Sequence, residues 1–221
     1  MEKLFFELIQ VAEGRLSCLE RGPSPEEWQL LYDTAQRQKV SGICFYGAER
    51  LFEYGLRGPQ DLMLDWMAEK EVIKEKNEQS KRLQRVVQYY PEHLQLLRQS
   101  DDEVLPAIAV PKIEQIYELF LQGKLDVRLL MDYYFVLCKA GGKGERYRGS
   151  RLLDAVMGSL GVRRFAGGLM WLMQEVLGMK QEDMPWKPME KAGRFLKDEM
   201  MHQNSKTERF VQMLLYFKIA L

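Results

Sequence analysis

A chain of 221 residues with 46% hydrophobic and 29% charged side chains can bury a sizeable core and is too apolar to remain disordered. Its 32 Lys plus Arg offset its 32 Asp plus Glu, which removes the net field that nonspecific binding to nucleic acid or to an anionic membrane surface requires. No specific nucleic-acid partner and no membrane partner is expected.

From Glu2 to about Glu20 the apolar positions Leu4, Phe5, Leu8, Ile9, Ala12, Leu16 and Leu19 keep the helical period and predict a first amphipathic helix. GPSPEEW then ends one helix and starts another. Ser24 is placed as an N-cap, Pro25 at the first helical position, and Glu26 and Glu27 in the first turn, where negative charge complements the helix dipole. This second helix runs to about Gln38, and a third covers Ser41 to Phe52. A long helix is expected from Gln60 to Tyr90, apolar at its ends and wholly polar from Lys74 to Arg82; that stretch reads as a solvated face or as a face for a partner. Asp101 to Pro111 reads as a connector, because two prolines flank a short apolar run.

Helix resumes at Lys112, pauses at Gly123 and enters RLLMDYYFVL with Asp126 as N-cap. In that run Leu130, Tyr133, Tyr134 and Leu137 share one helix face, which predicts a central core helix whose two phenols must find partners. GGKGERYRG opens as a loop onto a helix near 144 to 160. The next helix has the strongest period, from Val162 to Leu177, and Gly167 and Gly168 would let a neighbouring helix approach closely. Two terminal helices follow, Met189 to about Met201 and Lys206 to about Ala220. No segment alternates in the strand manner, so the expected fold is all-α, an irregular multi-helix bundle of about ten helices with little or no sheet. An N-terminal helical region (1–99), a connector with a short helix (100–124) and a C-terminal helical region (125–221) are expected to form one compact unit.

Few residues have the types and spacing that chemistry needs. Asp101, Asp102 and Glu103 form the one dense carboxylate cluster, the weak candidate for a catalytic or divalent-cation site; the plain alternative is an acidic loop or helix start. Lys143, Arg146 and Arg148 lie in the glycine-rich stretch and are weak phosphate-binding candidates, although the glycines match neither nucleotide-loop pattern. His93 and His202 are the only histidines and sit far from any cysteine, so no metal site is expected. Cys18, Cys44 and Cys138, with no CxxC pair, read as buried thiols in apolar helices of a protein from a reducing compartment. MEKLFFELIQ lacks the pattern of a secretory signal, and no run approaches the roughly 18 to 20 apolar residues that span a bilayer. A cytoplasmic location is expected.

Taken in order, MEKLFFELIQVAEGR, PSPEEWQLLYDTAQRQKVSGICFYGAERL, DLMLDWMAEKEVIKEKN, RLLMDYYFVL, LGVRRFAGGLMWLMQEVLGM and EKAGRFLKDEM resemble a family of uncharacterised bacterial nucleotidyltransferases in the polymerase beta-like superfamily. The resemblance covers most of the chain and includes no catalytic motif. Such enzymes carry a small mixed sheet with a Gly-Ser or Lys-Gly turn, an Asp-x-Asp pair and a further carboxylate, which together hold the nucleotide phosphates and the metal ions.

In this chain the corresponding interval, Pro91 to Val127, has none of these. LRQSDDEV resembles a remnant of the family's metal-binding segment, with Val104 where the second aspartate would stand. The resemblance therefore implies a nucleotidyltransferase-like pseudoenzyme without a resident cofactor, whose surviving helices pair with a second copy or with a protein partner. Two alternatives stand beside it. One is an active Mg-dependent transferase using Asp101 to Glu103. The other is a helical interaction module using Lys74 to Arg82 or the basic residues from Arg146 to Arg164.

Overall fold

The computed structural model describes residues 1–81, 105–139, 158 and 162–202. Among these there are eight α-helices, one 3₁₀ turn and no strand, so the fold is all-α. The helices are α1 (Glu2–Ala12), α2 (Pro25–Arg37), α3 (Ser41–Phe52), α4 (Gln60–Lys81), α5 (Leu105–Leu121), α6 (Val127–Lys139), α7 (Arg163–Leu177) and α8 (Glu190–His202). Apart from residue 158, the helices expected at 144–160 and 206–220 lie outside the described residues, as does the expected continuation of α4 to Tyr90. The chain divides into two compact units, 1–96 and 97–221.

In the first unit α3 is the element on which the others pack. It lies against α1, α2 and α4. Its apolar residues Ile43, Cys44, Phe45, Ala48 and Leu51 are all buried, and Gly47 admits the backbone of α1, because a Cβ there would overlap the Leu8 carbonyl oxygen. The α2 start is the capping box read from the sequence. Ser24 Oγ accepts from the Glu27 N–H at 3.2 Å, and Glu27 Oε2 accepts from the Ser24 N–H at 2.9 Å. Arg21 donates to the same carboxyl at 2.7 Å, and these two partners hold the Glu27 pKa down at about 2.

The first helix is shorter than its apolar period suggests. It stops at Ala12 rather than near Glu20, because Gly14 takes a left-handed conformation (φ 74°) and the Arg15 N–H turns back to the Gln10 carbonyl at 2.9 Å. Leu19 is still buried, but from a segment that doubles back beside α1. There the Glu20 N–H reaches Glu7 Oε2 at 3.2 Å, and the Glu20 carboxylate pairs with Lys3. An apolar period can continue through a reversal without the helix doing so.

In the second unit the run RLLMDYYFVL is the core helix expected of it. Within α6, Leu130, Met131, Tyr133, Tyr134, Phe135 and Leu137 are buried on all sides, and α5 and α7 pack against it. Asp126 caps the helix as read, its Oδ1 accepting from the Leu129 N–H at 2.9 Å. Gly123 closes α5 in a left-handed conformation, with the Lys124 N–H bonded to the Leu119 carbonyl at 2.8 Å.

The expected connector at 101–111 is corrected in its second half, where α5 already begins at Leu105. Pro106 falls in the first turn, where an N–H has no intrahelical partner to lose, so only Pro111 removes a helical hydrogen bond. The proline pair therefore does not exclude helix.

The glycines of α7 act as anticipated. A Cβ on Gly168 would lie 3.0 Å from Ala192 of α8, and one on Gly167 would lie 2.6 Å from the Met189 side chain. Gly193 answers from α8, where a Cβ would overlap the Trp171 ring. Around this close pair Phe165 meets Tyr117 edge-on at 4.9 Å and Phe120 at 5.3 Å, and Phe195 meets Phe120 at 6.1 Å.

Candidate functional site

All six weak site candidates lie outside the described residues: Asp101, Asp102 and Glu103 of the carboxylate cluster, and Lys143, Arg146 and Arg148 of the glycine-rich stretch. His93 lies outside them too, and His202 is the last residue of α8. Among the described residues no three His, Cys, Asp or Glu side chains are grouped so as to hold a metal ion. No helix among them is long and apolar enough to cross a membrane.

The cysteines are corrected in part. Cys44 is buried in α3, and burial alone pushes its thiol far up, so it is an inert protonated group. Cys138 in α6 is half-buried. Cys18 is exposed, because it lies in the irregular segment after α1 rather than in an apolar helix.

Among the described residues, a polar constellation that sequence order conceals lies at the junction of α2, α3 and α4. Glu69 Oε2 accepts from Ser41 Oγ at 2.9 Å and from Gln36 Nε2 at 3.0 Å. The Trp66 indole N–H donates to the Ser41 carbonyl at 3.0 Å, and its ring stands edge-on to Tyr32 at 5.3 Å. Burial pushes the Tyr32 phenol up, and the negative charge of Glu69 adds to it, so this hydroxyl stays protonated. One turn on, Lys70 bonds both Glu49 oxygens, at 3.0 and 3.1 Å, and lies 5.1 Å from the centre of the Phe45 ring.

This arrangement joins α2, α3 and α4 through polar side chains. Helix α3 has no acidic residue in its first turn and no side-chain cap of its own. Glu69 brings a carboxylate to that end from another helix, where it faces the positive pole of the α3 dipole and occupies the Ser41 hydroxyl. Ser41 is itself buried.

The outer side of α4 is different in kind. Leu62, Trp66 and Ile73 are buried toward the unit, whereas Leu64, Met67 and Val72 on the opposite side are 51%, 46% and 47% exposed. With the exposed Ala68 these make a stripe at i, i+3, i+4 and i+8, so one helix carries apolar rows on both faces. Exposed Asp61 and Asp65 stand at its N-terminal end and exposed Lys74 toward its C-terminal end. None of these three makes an ion pair among the described residues. The apolar stripe lies N-terminal to the polar Lys74 to Arg82 stretch that sequence reasoning singled out. Its signal was legible as a second apolar row in DLMLDWMAEKEV.

A third feature belongs to the second unit. Of the two phenols in the core run, Tyr133 is fully buried with its hydroxyl unpartnered, and burial raises its pKa well above the ordinary phenol value. The expectation that it would find a partner fails there. No protein-family model, curated protein or solved structure matches the chain.

Proposed function

We propose that this chain is a nucleotidyltransferase-like protein without a working catalytic centre, and that it acts in the cytoplasm as a helical binding module through the outer face of α4. The kinship rests on the ordered similarity of the segments from MEKLFFELIQVAEGR to EKAGRFLKDEM, and the loss of activity on the interval 91–127, which lacks the phosphate-binding turn and the Asp-x-Asp pair. The observation that carries the binding role is the second apolar row of α4. Three large side chains about half exposed on one helix face, bracketed by charge, are what a helix-on-helix contact uses.

The nucleotide question is tested by titrating the folded protein with the four common triphosphates in the presence of Mg. The expected result is no saturable binding. Saturable binding that Asp102→Ala abolishes would overturn the non-catalytic reading in favour of a transferase using Asp101, Asp102 and Glu103. The binding face is tested separately with a Leu64→Asp, Met67→Asp bait. Both side chains are solvent-exposed, so helicity should be unchanged while associated chains are lost.

A further inference from the structure

We draw no further inference here: the strongest candidate, the exposed apolar row of Leu64, Met67 and Val72 on the outer face of α4, belongs to the binding face already described, and nothing in the structure shows what covers it.

Discussion

Where α3 begins against α4 in the first unit, the helices are joined through Ser41, Trp66 and Glu69, each supplying an atom that needs a partner and has one. Where α7 lies on α8 in the second unit, they are joined through Gly167, Gly168, Ala192 and Gly193, which supply almost no side chain at all. The first junction fails if a polar atom is removed and the second if a carbon is added. The contrast matters because a buried hydrogen bond contributes only about 0.5 to 1.5 kcal/mol net, whereas overpacking a closed helix contact costs about 1 to 3 kcal/mol.

The comparison is broken most sharply at Gly193. Gly193→Val places branched carbon into the Trp171 ring and should cost about 3 kcal/mol or prevent the second unit from folding, measured by urea unfolding followed by circular dichroism. Glu69→Ala removes the carboxylate at the start of α3 and leaves Ser41 and Gln36 without their acceptor. A loss of about 1 to 2 kcal/mol is expected, with Glu69→Gln recovering part of it, since the amide oxygen still accepts but carries no charge.

The smallest change sharpens the comparison by reversing the sign. Tyr133→Phe deletes a buried hydroxyl that bonds to nothing and adds no atom to the tight core of α6, so stability should rise by about 1 kcal/mol. An unchanged or lowered midpoint would mean that this hydroxyl is paired in solution.

Local chemistry was legible wherever neighbours in sequence are also neighbours in space. Ser24, Pro25 and Glu27 announce α2, Asp126 announces α6, and the glycines of α7 announce a close helix partner, because capping and face geometry act within a turn or two. The end of α1 was missed because Leu16 and Leu19 keep the apolar period after Gly14 has reversed the chain, and burial does not require helix. The start of α5 was missed because a proline in the first turn reads as a breaker although it breaks nothing there.

The candidate sites divide in the same way. Gln36, Ser41 and Glu69 lie on three helices, so no spacing rule links them. The apolar outer row of α4 was present in the sequence all along, overshadowed by the polar run beside it. The candidate residues at 101–103 and 143–148 were chosen by residue type and closeness in sequence, the first group also by the resemblance of LRQSDDEV to a metal-binding segment.

Burial of Cys44 at the centre of α3 gives the first unit a built-in clock. A thiol that is enclosed and protonated cannot attack a disulfide reagent until the helices around it part, so its labelling rate counts openings of that unit alone. Cys18, already at the surface, reacts without waiting and supplies the zero of the time axis.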